Sequence, residues 1–163
     1  MSTLPPPPSL VPRGGPMDLS RYDVPHPRPF VCDLVIDDGC AGRVIEHVPN
    51  VEYVRWLDRA AQLHAEALGY PHQRLIDDGV MWFVARHEID YLAEVWPGDE
   101  LVVATWIRDL RRVKSWREYA VIRPRDDRVV CRAATLWVLV NLATRRPSRI
   151  PPEMARGFAG GSS

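Results

Sequence analysis

Apolar residues recur along the chain in two different periods, and the change between the periods marks the main secondary-structure elements. From residue 51 to residue 68 they follow one another three and four positions apart on two stripes, which predicts a helix that is mostly buried. Asn50 is expected to cap this helix, and Gly69 followed by Pro71 to end it. Elsewhere apolar and β-branched residues form short runs between turn residues, which predicts strands. The predicted strands are Phe30–Ile36, Met81–Leu92, Leu101–Ile107, Trp116–Ile122 and Val129–Leu142.

The order of these elements predicts an α+β fold. One long apolar helix follows the first strand, and the remaining strands are joined by turns, so a five-stranded antiparallel sheet is expected to curl around the helix. The proline-rich residues 1–28 are predicted to be a disordered arm, residues 29–157 the folded domain, and residues 158–163 a flexible tail. Within the arm, residues 10–14 resemble a thrombin cleavage sequence.

Composition and charge exclude several classes of function. Lysine plus arginine and aspartate plus glutamate both number 21, so no nucleic acid or other polyanion is expected as a partner. No apolar run approaches the roughly 18 residues that a membrane span needs, and no signal segment is recognised, which together predict a cytoplasmic protein with no membrane partner. The three cysteines lack paired spacing. His87, Glu88 and Asp90 do not converge on a strand, because His87 points to the opposite face, so no metal site is predicted.

A family resemblance rests on residues 47–58, whose sequence is His-Val-Pro-Asn-Val-Glu-Tyr-Val-Arg-Trp-Leu-Asp. This stretch resembles the signature H-V-N-N-x-x-Y-x-R-W-L of the 4-hydroxybenzoyl-CoA thioesterase family, and the similarity continues at residues 85–92, 97–101, 137–140 and 149–151. The resemblance implies a hot-dog fold, in which five strands wrap one central helix. It also implies a homodimer or dimer of dimers with the active site at the subunit interface. The implied substrate is an acyl-CoA or acyl-carrier-protein thioester, and no cofactor is implied beyond the coenzyme A of the substrate.

The same resemblance implies the catalytic residues. The family's usual catalytic aspartate corresponds to Arg43, whose guanidinium cannot accept a proton. Asp38 and Glu46 are the candidate replacement carboxylates. For Asp38 the role of an ordinary turn residue is favoured, whereas Glu46 can equally be a solvent-exposed loop acid. His47 matches the histidine of the motif and can exchange protons near neutral pH, or it can serve only to fix the loop. Asn50 matches the second asparagine, for which capping is favoured over chemistry.

Further contributions are expected from the helix and from a basic turn. The unpaired N–H groups of the first helical turn can stabilise a developing oxyanion. Tyr53 matches the tyrosine of the motif and is assigned to the substrate site. Arg111, Arg112 and Lys114 lie between two strands and can bind the phosphates of coenzyme A, or can form a solvated turn.

Two functions remain open at this point. The first is a thioester hydrolase, one variant of which resembles the polyketide-releasing hot-dog thioesterases that work without the usual carboxylate and use a cation, a role that suits Arg43. The second is a catalytically degenerate hot-dog protein that binds acyl thioesters or a partner chain without turnover.

Overall fold

The protein is described by a computed structural model that covers residues 8–40 and 46–160, except for the side chain of Cys40. The strands are β1 (Leu10–Pro12), β2 (Phe30–Val35), β3 (Val80–Tyr91), β4 (Glu100–Arg111), β5 (Lys114–Arg123) and β6 (Arg128–Asn141). The helices are α1 (Asn50–Ala67), α2 (His72–Asp77) and α3 (Pro152–Gly160), and short 3-10 turns occupy Ser20–Tyr22, Asp38–Cys40 and Pro124–Asp126. All six strands belong to one antiparallel sheet with the order β1-β2-β4-β5-β6-β3.

The long helix α1 packs on one face of this sheet, which we call the inner face. Its side chains Trp56, Leu57 and Ala60 are fully buried, and they share a cluster with inner-face strand residues such as Val103 and Val121. Each large side chain buried in this way contributes about 1.5–3 kcal/mol. The predicted α+β hot-dog fold, with one sheet around a central helix, is confirmed.

The sheet has one strand more than the five expected, and the extra strand comes from the proline-rich segment. β1 pairs with β2 in the register Leu10 to Leu34, and the backbone N–H of Arg13 donates to the carbonyl of Val31 at 2.8 Å. Pro12 is tolerated because β1 is an edge strand, where a missing donor costs no ladder bond.

The rest of the N-terminal segment covers the opposite, outer face of the sheet. Leu19, Tyr22 and Val24 are buried there against outer-face residues such as Val102 and Ile122. Residues 8–28 therefore differ from the predicted disordered arm, because the apolar residues between the prolines have a sheet face to cover. The first seven residues of that predicted arm lie outside the described residues.

The C-terminal helix α3 closes the end of the sheet near the start of β3. Its residues Met154 and Phe158 are buried in a cluster with Tyr70 and Leu75. The Phe158 and Tyr70 rings lie 5.7 Å apart between centroids. The predicted flexible tail therefore begins too early, since residues 158–160 still belong to α3, and residues 161–163 lie outside the described residues.

Candidate functional site

A surface cavity of about 280 Å³ lies at the N-terminal end of α1. Three parts of the chain form it, namely the segment before α1, the first turn of α1, and the end of β3 with the connection that follows. Its lining residues are His47, Val48, Asn50, Tyr53, Tyr91, Leu92, Ala93 and Glu94. A substrate group in this cavity meets the start of the helix, where backbone N–H groups have no intrahelical partner.

His47 is half-buried in this cavity and is held by the connection between β3 and β4. The backbone N–H of the next residue, Val48, donates to the carbonyl of Val95 at 2.8 Å. The imidazole meets the indole of Trp96 edge to face, with 6.1 Å between ring centroids. Because its other side lines the cavity, His47 is fixed by its neighbours and still accessible to a ligand.

The start of α1 differs from the prediction in its capping residue. Pro49 occupies the N-cap position in an extended conformation, and Asn50 is the first helical residue. No hydrogen bond joins the Asn50 side chain to any of the described residues, and the residue is exposed in the cavity. The predicted cap is therefore wrong, because an N-cap residue has a non-helical backbone and Asn50 already belongs to the helix. Asn50 therefore lines the cavity as an exposed residue of the first helical turn.

Two tyrosines form the floor and side of the cavity. Tyr53 is buried, and its hydroxyl donates to the carbonyl of Ala93 at 3.4 Å, while the hydroxyl of Tyr91 donates to the carbonyl of Asn50 at the same distance. The two rings meet edge to face at 5.1 Å. Burial raises the pKa of Tyr53 to about 12, so this phenol stays neutral and acts as a wall and a donor.

Asp38 and Glu46 are the two candidate carboxylates predicted from the sequence, and neither is among the described residues that line the cavity. Asp38 is exposed in the 3-10 turn after β2, and Glu46 is exposed just before His47. Arg43 lies outside the described residues. Glu94 is the acidic residue among those that line the cavity. Sequence reasoning missed Glu94, and the signal that could have found it is its place two residues after the family-like stretch 85–92.

The predicted basic cluster lies at the other end of the sheet. Arg111 and Lys114 line a second surface cavity of about 440 Å³, together with Arg108 and Trp116. Arg111 also pairs with Asp109 at 2.8 Å.

The third predicted cation, Arg112, is not part of that lining. It is a turn residue with φ 47°, and its carbonyl accepts from the N–H of Ile150 at 2.7 Å. Lys114 pairs with Val138, which in turn pairs with Phe83 near the start of β3. The His47 cavity adjoins the end of β3, so one chain does not bring the cations and the histidine together.

A second group of titratable side chains lies on the middle of α1 and the strands beside it. Asp58 accepts from the Gln62 side chain at 3.0 Å, and burial raises its pKa, against the opposing effect of nearby His72 and His87. His87 shares a hydrogen bond with Thr135 at 2.8 Å, and burial lowers its pKa. Only the tertiary structure reveals this group, because its members are far apart in sequence.

Within residues 8–40 and 46–160, no three histidine, cysteine or acidic side chains are placed to hold a metal ion. None of the helices in those ranges has the length and apolar character that crossing a membrane requires.

Comparisons with known proteins agree with this architecture. The family model of the thioesterase-like superfamily matches residues 31–158. A chloroplastic palmitoyl-acyl carrier protein thioesterase of Gossypium hirsutum is 29% identical over 98 residues, which cover 59% of this chain and 23% of the relative. A chloroplastic palmitoyl-acyl carrier protein thioesterase of Cuphea hookeriana is 29% identical over 147 residues, which cover 77% of this chain and 34% of the relative. The chain thus spans about a third or less of the length of these curated relatives.

Solved structures share the fold at low sequence identity. A 1,4-dihydroxy-2-naphthoyl-CoA thioesterase from Synechocystis superposes with a TM-score of 0.74 at 17% identity, over 80% of this chain and 96% of that one. A hypothetical protein from Staphylococcus aureus in complex with CoA superposes with a TM-score of 0.77 at 15% identity, over 82% of this chain and 83% of that one. Since the family model matches most of the chain and its fold is the one these structures share, the protein belongs to the thioesterase-like superfamily.

Proposed function

We propose that the protein hydrolyses an acyl-CoA or acyl-carrier-protein thioester at the N-terminus of α1. The observation that supports this most directly is the cavity in which His47 lies beside the unpaired N–H groups of a buried helix. Those N–H groups carry partial positive charge, and they stabilise a thioester carbonyl oxygen as it becomes anionic. The curated relatives, which are named as thioesterases of acyl-carrier proteins, support the same reaction class.

In the proposed reaction, water attacks the thioester carbonyl carbon while His47 accepts one of its protons. The tetrahedral intermediate then collapses, the carbon–sulfur bond breaks, and the thiol leaves with a proton returned by the imidazole. Glu94 is the acid to which we assign the orientation of the histidine or the water, because it is the acidic residue in the lining of the same cavity. Asp38, Glu46 and Arg43 stay candidate participants, and we assign Asn50, which lines the cavity, to hold the water or the carbonyl oxygen. The reaction requires no metal and no cofactor besides the coenzyme A of the substrate.

A homodimer through β3 is the assembly we propose. β3 is an edge strand of 12 residues and exposes Phe83, Val84 and Tyr91, which is an unusual edge for an isolated chain. Two copies of β3 paired antiparallel about a two-fold axis hide both edges at once. A dimer of dimers stays a further candidate.

This dimer also resolves the separation of the basic cluster from His47. Twelve residues span on the order of 40 Å in an extended strand. Antiparallel pairing places the start of one β3 beside the end of the other. The cavity of Arg111 and Lys114 in one subunit then lies on the same side of the assembly as the His47 cavity of the other. We assign these cations to the phosphates of coenzyme A.

The test is a thiol-release assay on short, long and aromatic acyl-CoAs. His47→Ala is expected to lower kcat by about 100-fold or more, as removal of a general base does. Glu94→Gln, Asp38→Asn and Glu46→Gln are each expected to lower kcat, with the largest effect for Glu94. His26→Ala serves as the matched control, because His26 lies on the N-terminal segment away from the cavity. Wild-type rates in all four site variants would remove this site from the proposal.

The role of the cations is tested by comparing acyl-CoA with the same acyl group on a small thiol. Arg111→Ala and Lys114→Ala are expected to raise KM for the CoA thioester and to leave the small thioester unaffected. Arg112→Ala is expected to raise this KM less, because Arg112 does not line the same cavity. An unchanged KM in all three variants would contradict the assignment.

The dimer is tested by the mass of the protein in solution. Val84→Lys on the exposed edge is expected to yield monomers with reduced turnover. Val35→Lys is the matched control, since Val35 is also exposed but lies on β2. A Val84→Lys protein that stays dimeric and active would exclude this interface.

The second function is a binding module without turnover. The observation in its favour is the arginine at position 43, where the family has its usual catalytic aspartate. Saturable binding of acyl-CoA with no thiol release across the whole panel favours this alternative. For either function we propose a cytoplasmic location, with which the buried free thiols of Cys32 and Cys131 are compatible.

A further inference from the structure

Arg117 is a buried cation for which the described residues provide no anion. It lies on the inner face of β5 and is only 3% exposed. Its Nη1 donates to Nδ1 of His64 at 2.8 Å and to Oγ1 of Thr105 at 3.1 Å. Both partners are neutral: burial, reinforced by the charge of Arg117, lowers the pKa of His64 to about 3. Among residues 8–40 and 46–160, no carboxylate forms an ion pair with this guanidinium.

An uncompensated guanidinium in this position is costly. The effective penalty for burying an ion is several kcal/mol, and arginine does not escape it by losing its proton. Natural proteins usually place a carboxylate beside such a group. A bound anion provides the same compensation from outside the chain.

The surroundings of Arg117 contain a small cavity with further unused donors. The cavity of about 50 Å³ lies between α1, α2, α3 and the inner face of the sheet. Ser115 and Trp82 line it, and both the Ser115 hydroxyl and the Trp82 indole N–H are buried without a hydrogen-bond partner among the described residues. Ser115 itself is 3% exposed. Trp137 lines the same cavity, and its indole N–H is likewise buried without a hydrogen-bond partner among the described residues. Buried donors without acceptors are rare in native proteins, so three such groups around one cavity indicate a ligand that accepts hydrogen bonds.

The size and walls of the cavity restrict that ligand. A volume of this size holds about three or four water molecules at roughly 10–15 Å³ each, which is room for a carboxyl group and the first atoms attached to it. Apolar side chains complete the walls, among them Ile107, Leu75 and Phe158. His72 is exposed at the rim, so the cavity meets solvent on that side. A carboxylate on an apolar body satisfies both the donors and the walls.

We propose that this cavity binds the carboxylate of an organic acid, with Arg117 as its counter-ion. The hydrogen bonds of Arg117 to His64 and Thr105 both use Nη1. The edge formed by Nε and Nη2 is therefore left for a bidentate pair of hydrogen bonds to the carboxylate. The Ser115 hydroxyl and the Trp82 N–H supply the remaining donors. The site is separate from the His47 cavity, because Ala61, which lines it, is about 16 Å along α1 from Asn50 at 1.5 Å per residue. The carboxylate belongs either to the far end of an acyl group or to a free organic acid.

Binding of benzoate, with benzamide as the neutral control of the same shape, tests the proposal without any catalytic readout. Calorimetry and the fluorescence of the cavity tryptophans are expected to show saturable benzoate binding at least tenfold tighter than that of benzamide. Arg117→Met is expected to remove this preference, while Ser115→Ala weakens benzoate binding about three- to tenfold. Benzoate is also expected to raise the melting temperature of the wild type and not that of Arg117→Met. Equal affinities for benzoate and benzamide, or a preference that survives in Arg117→Met, would overturn the proposal.

A second arm distinguishes the two sources of the carboxylate, and this arm rests on the proposed thioesterase function. Dicarboxylic acyl-CoAs of increasing length are each compared with the monocarboxylic acyl-CoA of equal length, beginning with glutaryl-CoA and pentanoyl-CoA. A higher kcat/KM for the dicarboxylic substrates that disappears in Arg117→Met supports the acyl group as the source. Equal kcat/KM values together with Arg117-dependent benzoate binding support a free acid. If no thioester is hydrolysed, the proposed function fails, while the benzoate measurement still decides the cavity.

Discussion

The carboxylate of Asp99 holds the turn between β3 and β4, and substitution of this residue tests how the fold supports the site. Asp99 is buried and accepts from the backbone N–H of Trp96 at 3.0 Å, from Arg123 at 3.4 Å and from Arg125 at 3.1 Å. Trp96 is the residue whose ring contacts His47. Loss of this carboxylate therefore loosens the contact between Trp96 and His47 as well as the turn between β3 and β4.

The expected cost of Asp99→Ala follows from these contacts. Breaking a buried ion pair by removing one partner costs about 3–5 kcal/mol. The lower end applies here, because Arg123 keeps two hydrogen bonds of 2.9 Å to Asp126 and one of 2.8 Å to the carbonyl of Glu94. We therefore expect the free energy of unfolding to fall by about 3 kcal/mol. For a chain of this length that corresponds to a melting temperature lower by about 6–12 °C.

Urea unfolding followed by circular dichroism measures this loss at fixed protein concentration. Arg125→Ala is the matched control, since it removes another partner of the same carboxylate. The Arg125 side chain is 66% exposed, and exposed ion pairs contribute about 1 kcal/mol or less. Asp99→Asn, which keeps an acceptor for the Trp96 N–H, is expected to fall between the two. If Asp99→Ala loses no more stability than Arg125→Ala, the buried pair does not hold this turn and the reasoning is refuted.

Three further predictions concern other parts of the fold. The pKa of His64 is lowered from 6.5 to about 3, so between these pH values the unfolded chain binds one more proton than the folded chain. The stability that is present above pH 6.5 is therefore lost by about 1.4 kcal/mol per pH unit as the pH falls through this range. In urea titrations His64→Gln is expected to lack this contribution, and identical pH profiles would contradict it. Thrombin is expected to cleave slowly after Arg13, because β1 is paired with β2 and the Arg13 guanidinium binds Asp33 at 2.6 Å. Asp33→Ala is expected to accelerate this cleavage. If the wild type is cut as fast as a free peptide of the same sequence, β1 is not held against β2. Tyr22→Ala is expected to lower the free energy of unfolding by about 3 kcal/mol, because it uncovers the outer face of the sheet. Tyr22→Phe is expected to lower it by less than half of that, as measured by the unfolding midpoints. Equal midpoints for the wild type and Tyr22→Ala would refute the packing role.

Several features of the protein were readable from the sequence because they depend on local periodicity. The stripes of apolar residues from 51 to 68 place α1 within one residue of its observed ends, Asn50 and Ala67. The five predicted strands all exist, with boundaries displaced by no more than four residues. The family signature at residues 47–58 located His47 beside the start of the helix. A helix that is apolar on two stripes has to be enclosed, which is why the pattern also determined the curved sheet around it.

The remaining features depend on which distant surfaces meet, and no local pattern encodes that. Proline content suggested a disordered N-terminal segment, but the outer face of the sheet is apolar and Leu19 and Tyr22 cover it. Glu94 lines the His47 cavity because the connection after β3 contacts the start of α1. Arg117 lacks an anion among the described residues because α1 and β4 supply the neutral partners His64 and Thr105. Periodicity fixes which face of an element is buried, whereas the groups that meet across the core are selected by the packing of the whole chain.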